Sequence, residues 1–236
     1  MARQRSWQII VLVVALVAIV LLLWLKSNGP KRTVPLASSS AAAFHGIPPE
    51  GSGGDPELNR HKNRWSEPAS YTDMSVPQII AFDHSALDDA GRKQRSNWSA
   101  TATAQAAKYE QMGVRVEGYL VAAKQSGAES CNGESETYRD DHLWLAASAD
   151  DQKRDGLVVE VTPYWNERHP EWDLKTLTRL AREHTRIRVS GWILWDEEHA
   201  DEVGKSRGSQ WEIHPITRIE VAQGNGWQLL SAENPL

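Results

Sequence analysis

Two segments constrain the fold more tightly than anything else in this chain. They are Ile187-Arg188-Val189-Ser190-Gly191-Trp192-Ile193-Leu194-Trp195 and Val114-Arg115-Val116-Glu117-Gly118-Tyr119-Leu120-Val121. Both alternate branched apolar residues with polar ones, the period-two pattern of a half-buried strand. Both carry glycine at the fifth position, followed by an aromatic residue. Glycine inside a strand marks a bulge, a sharp bend or a close backbone approach. Two long strands hinged near their middles point to a small closed barrel.

The remaining elements follow in chain order. The pattern predicts strand one at Val114–Ala123, strand two at His142–Ala147 and strand three at Leu157–Val161. A helix follows, capped by Asp173, with Leu174, Leu177, Ala181 and His184 on one face. Strand four is Thr185–Trp195 and strand five Trp211–Val221, with a loop of residues 196–210 between them. The expectation is therefore a mainly β domain: a five-stranded, OB-fold-like Greek-key barrel with one helix between strands 3 and 4.

Short motifs within residues 112–222 support a narrower likeness. Glu129-Ser130-Cys131-Asn132, Asp140-Asp141-His142, Val158-Val159-Glu160-Val161-Thr162-Pro163, Val189-Ser190-Gly191-Trp192 and Trp211-Glu212-Ile213-His214-Pro215-Ile216-Thr217 resemble a family of uncharacterised bacterial proteins. The resemblance implies an N-terminal anchor and an OB-like domain, and no assigned activity. Gly133 stands where the family pattern has a second cysteine, and Asp141 where it has threonine. A two-cysteine metal or redox site is therefore not expected here.

Residues 1–26 read as a transmembrane anchor. Trp7–Leu25 is apolar except for Gln8 and carries a tryptophan near each end. As a helix it would rise roughly 28 Å, close to the thickness of the bilayer's hydrocarbon layer. The run exceeds a cleavable signal's apolar region, and Lys26, Lys31 and Arg32 follow it without a nearby cleavage site. The short leader favours a cytoplasmic N-terminus, so the expected localisation is single-pass in a membrane with a periplasmic or extracellular domain. Residues 27–56 hold five prolines, five glycines and five serines, which predicts a disordered linker. Residues 57–111 read as a lead-in segment covering the barrel, with a helix within Trp98–Met112. Residues 223–236 read as a C-terminal tail.

Composition narrows the function classes. The barrel region carries fourteen Lys and Arg against twenty-one Asp and Glu, a balance of −7. A single-strand binder needs a basic groove beside its aromatics, so nucleic acid is not the expected partner. The single cysteine, Cys131, excludes an intrachain disulfide. Eleven tryptophans suit a stacking surface as well as a core.

In OB-folds ligands lie around strands two and three. Alternation turns Leu143, Leu145, Leu157, Val159 and Val161 inward, leaving His142, Trp144, Val158 and Glu160 outward. On the later strands it leaves Trp192, Glu212 and His214 outside. The expected ligand face is thus His142, Trp144, Glu160, Trp192, Glu212 and His214, open to a protein, a peptide or a small ligand. The acidic loop Asp196-Glu197-Glu198-His199-Ala200-Asp201-Glu202 reads as solvated. Cys131, His142, Glu160, His199, Glu212 and His214 are permissible metal ligands, but none pair at zinc-motif spacing. No catalytic residue, metal or cofactor is assigned. The main expectation is a membrane-tethered binding or scaffolding domain. The alternatives are a metal-dependent hydrolase using His142, Glu160 and His214, and a cytoplasm-facing nucleic-acid binder.

Overall fold

The computed structural model describes residues 43–233. The expected anchor at Trp7–Leu25 and residues 27–42 of the expected linker lie outside them. Among the described residues, no helix is long and apolar enough to cross a membrane.

Among the described residues seven strands form one sheet: β1 Thr72–Ser75, β2 Gly113–Gln125, β3 Asp141–Ala146, β4 Leu157–Val161, β5 Arg186–Trp195, β6 Trp211–Gln223 and β7 Gly226–Leu229. The pairing runs β2-β3-β4-β6-β5, and β5 returns to β2. That closes a five-stranded barrel in which only the β4–β6 pairing is parallel. The order and closure are those of an OB-fold.

The two strand glycines sit where closure demands them. The first half of β2, Gly113–Tyr119, pairs with β5, and its second half, Tyr119–Gln125, pairs with β3. Gly118 lies at that handover, where an added Cβ would fall 2.6 Å from the Ala146 carbonyl oxygen. In β5 the register against β6 shifts on both sides of Gly191. A Cβ there would meet the Pro215 carbonyl oxygen at 2.3 Å and Ile213 Cγ2 at 2.7 Å.

The lumen is filled by Val114, Val116, Leu120, Leu143, Leu145, Leu157, Val159, Ile187, Val189, Ile193, Ile213 and Ile219, all fully buried. Leu143, Leu145, Leu157 and Val159 are among the residues that alternation turns inward. The helix α6, Leu174–Arg182, starts where the Asp173 carboxylate accepts from the Thr176 N–H at 2.6 Å. It buries Leu177, Leu180 and Ala181. His184, placed on the same stripe by periodicity, lies beyond the helix end with φ +48°.

The N-terminal elements are α1 Pro56–Lys62, α2 Val76–Ile80, α3 Ser85–Ala90 and α4 Ala100–Glu110; α5, Pro163–Arg168, precedes α6. Helix α4 brings Tyr109 against Phe82 and Trp211, with ring centroids 4.3 and 5.0 Å apart, and Trp195 meets Trp211 at 4.9 Å. Trp144, Trp165, Trp172, Trp195 and Trp211 are all buried, so these tryptophans are core rather than an open stacking surface.

Several expectations need correction. Residues 43–56 do not behave as part of a disordered linker. Phe44 and Ile47 exchange backbone hydrogen bonds, the Ser52 N–H donates to the Ser130 carbonyl, and the Asp55 carboxylate caps α1. The glycines there serve positive-φ turns at Gly46, Gly51, Gly53 and Gly54, a role that composition alone cannot separate from flexibility. Residues 226–229 of the expected tail form β7, hydrogen-bonded to β6. The acidic loop is not simply solvated: Asp196 and Glu197 are buried, because Arg207 and Arg95 reach in to meet them.

Candidate functional site: a buried ionisable cluster beneath a cleft

Alternation on three neighbouring strands puts charge together. His142 of β3 stands opposite Glu160 of β4, and β6 runs beside β4 with Glu212 opposite Val158. His142, Glu160, Glu212 and His214 therefore share one patch on the outside of the barrel. Outside the barrel does not mean in water here, and the expected open face is corrected on that point. His142 is 8% exposed, Glu160 2%, and Glu212 and His214 are fully buried. Lys62 of α1, the loop between β2 and β3, and Arg207 of the loop between β5 and β6 cover them.

The contacts form a chain. The Glu160 carboxylate lies 3.1 Å from His214 Nδ1 and 3.3 Å from His142 Nε2. His214 Nδ1 is also 3.2 Å from a Glu212 oxygen. His142 Nε2 meets Glu129 at 3.4 Å, and Lys62 Nζ lies 3.5 Å from Glu129 and 3.4 Å from Glu198. Asp140, fully buried, lies 4.0 Å from His214 Nε2 and accepts from the Cys131 thiol at 3.8 Å. Arg207 ties Glu212 to Asp196 at 3.3 and 2.9 Å.

Burial alone would strip the proton from both imidazoles. Glu160 opposes this at each of them, holding His214 up at about 10 and His142 at about 9. Burial pushes Glu160 up as well, but the two imidazoliums bring it down to about 2. Asp140 goes the other way: burial and the Glu129 charge raise it to about 7. Burial, with Asp140 beside it, also pushes the Cys131 thiol well above its usual value. Despite these contacts, Asp140 Oδ1 and His214 Nε2 make no hydrogen bond, and His142 Nε2 and Glu160 Oε2 are held by ion pairs alone. Unsatisfied atoms this deep are uncommon in folded proteins.

A cleft of about 550 Å³ opens onto this cluster, lined by Lys62, Lys124, Glu129, His142, Glu198 and His199 among others. A slightly larger hollow of about 590 Å³ lies elsewhere, where β1, β2 and β5 meet. Its arginines are already spent: Arg115 pairs with Asp73, Arg186 with Glu117 and Arg188 with Glu220. The cleft at His142 is the better candidate because unsatisfied groups stand behind it.

Trp144 and Trp192 fare differently from the other candidates. Trp144 is 3% exposed, donates from Nε1 to the Ser206 carbonyl at 2.6 Å, and lies with its ring 6.3 Å from that of His142. It flanks the cluster as packing. Trp192 instead donates to the Ser66 carbonyl at 2.9 Å beneath the Arg64 guanidinium, 5.0 Å from its ring. Sequence reasoning missed Lys62, Glu129 and Asp140 as site residues. Glu129 and Asp140 stand inside two of the short motifs, which was a usable signal; Lys62 carries none.

No family model matches the chain, and no curated protein matches it. It is similar to the crystal structure of yeast Stn1 and Ten1, at 13% identity and a TM-score of 0.35, over 77% of this chain and 76% of that one. A likeness at that score carries no argument. The class that the strand pairing defines is an OB-type barrel, here with a buried ionisable cluster on its outer wall.

Proposed function

We propose that this chain is a membrane-tethered, envelope-facing OB-type binding domain whose ligand enters the cleft beside His142. One observation carries the reading: the cleft is lined by His142 and Glu129, the outermost members of a cluster that holds unsatisfied polar atoms. Folded chains rarely leave such atoms unpartnered without a functional reason. Trp7–Leu25 supports the tether, and the excess of acidic over basic residues in the barrel region argues against a phosphate-backbone partner. The hydrolase alternative is favoured by the convergence of Glu160 and His214 with Asp140.

A photo-crosslinking residue at Lys124 of the full chain tests this in intact membranes. Lys124 lines the cleft, whereas Lys175 lies exposed on α6. The expected result is a discrete captured species from position 124 and none from position 175. Equal capture from both positions, or none from position 124, would overturn the reading.

A further inference from the structure

Around Asp140 the molecule assembles a donor set whose hydrogen bonds and ion pairs leave Asp140 Oδ1 and His214 Nε2 unused. Asp140, Glu160 and His214 each offer one ligand atom, all within 4.8 Å of one another. Glu129, Cys131 and Asp140 form a second such group, so Asp140 belongs to both. All three members of the first group are more than nine-tenths buried, and two of them keep an unpartnered atom, Asp140 Oδ1 and His214 Nε2, while Glu160 Oε2 is held by ion pairs to His214 Nδ1 and His142 Nε2.

The orientation of His214 separates this from an ordinary buried ion pair. Its Nδ1 is engaged by the Glu212 and Glu160 carboxylates, while Nε2 has no hydrogen bond and lies 4.0 Å from Asp140. Metal-ligating histidines are held this way, one ring nitrogen on a carboxylate and the other on the ion. Ligands bound at about 2.0–2.2 Å to one ion stand that far apart at a wide angle, so a small side-chain movement closes the site. Four carboxyl groups, those of Glu129, Asp140, Glu160 and Glu212, pack here against Lys62, His142, His214 and an Arg207 that Asp196 shares. Oxygen and imidazole donors with a thiol adjacent suit a borderline cation better than calcium or magnesium.

We propose that Asp140, Glu160 and His214 bind a divalent transition-metal ion of the zinc class. The inference deepens the ligand-site reading above and rests on it for the role of this face. Such an ion would lie behind His142, the residue through which the cleft meets the cluster.

The test uses the full chain, purified in detergent without chelators and assayed for metal by plasma mass spectrometry. A chelator-stripped sample is then titrated with cobalt(II) and followed by its visible absorption. The expected result is about one ion per chain, and cobalt saturation near one equivalent. Asp140→Asn and His214→Gln should each lower the bound metal at least about tenfold, while Glu183→Gln, exposed at the end of α6, leaves it unchanged. If either variant fails to fold, the wild-type titration decides. A folded wild-type chain that takes up no stoichiometric cobalt or zinc overturns the proposal, as does undiminished uptake by folded Asp140→Asn and His214→Gln. Crosslinking from Lys124 separates the two readings. Capture that persists in a chain incapable of binding metal removes only the ion, and metal without capture removes the cleft.

Discussion

Replacing Gly191 by valine is expected to destabilise the domain by about 3 kcal/mol or more, among the largest losses available to a single substitution here. The reason is backbone contact. A Cβ at Gly191 would stand 2.3 Å from the Pro215 carbonyl oxygen and 3.1 Å from Ile216 Cα, neither of which can swing away as a flexible side chain could. The β5 ladder against β6 also shifts register at this residue, so relief would require β5 to part from β6 where the barrel closes. Gly127 provides the control: its Cβ would meet nothing within 4 Å. Gly127→Ala should lie within about 0.5 kcal/mol of the native chain. Urea denaturation of the detergent-solubilised chain, followed by tryptophan fluorescence, measures both. A Gly191→Val chain that unfolds with the native one would contradict the packing described for β5.

Arg95→Met should cost a comparable amount, about 3–5 kcal/mol, because it strands two buried carboxylates. The Arg95 guanidinium donates to both Glu110 oxygens at 2.9 and 2.8 Å, to Glu197 at 3.2 and 3.3 Å and to the Trp195 carbonyl at 2.7 Å. It also lies over the Trp98 ring, 4.9 Å from the centroid. All three charged side chains are nearly inaccessible to water. Burial alone would raise Glu110; the Arg95 charge reverses that and holds it below its usual range. Glu197 is pushed up to about 7, burial outweighing its share of the same arginine.

Without Arg95 both carboxyls favour the protonated form in the folded state. A folded pKa raised above the unfolded one gives stability that is lost as pH rises. The deficit of Arg95→Met should therefore be smaller at pH 5 than at pH 8, and unfolding curves at the two pH values measure it. An equal deficit at both would mean that the carboxylates are solvated rather than enclosed.

The strands and their hinge glycines could be read from sequence because lumen packing imposes alternation directly on the chain. Leu143, Leu145, Val159 and Ile213 point inward for that reason. The same alternation correctly grouped His142, Glu160, Glu212 and His214 on one outer patch. What it could not supply was the layer above them. Lys62 reaches Glu129 across 67 positions of chain, and a lysine near the end of a short helix carries no local mark of burial. Arg207 and Asp196 are another case, since an acidic loop with a single arginine reads as solvated until its fold brings them to 2.9 Å. Alternation gives Trp192 the same outward face but no position along the barrel; its partners, Arg64 and Ser66, belong to the N-terminal segment.

The central claim is that a closed barrel, sealed by β2 against β5, carries the ionisable cluster on a rigid wall. Native-state hydrogen exchange of the full chain tests closure most directly. Amides in the Val116–Val189 region of the β2–β5 seam should exchange as slowly as those of the β3–β4 pair at Leu143 and Val159, all through global unfolding. A seam that exchanges well ahead of β3 and β4 would mean an open sheet, and the enclosure of Asp140, Glu160 and His214 would lose its support.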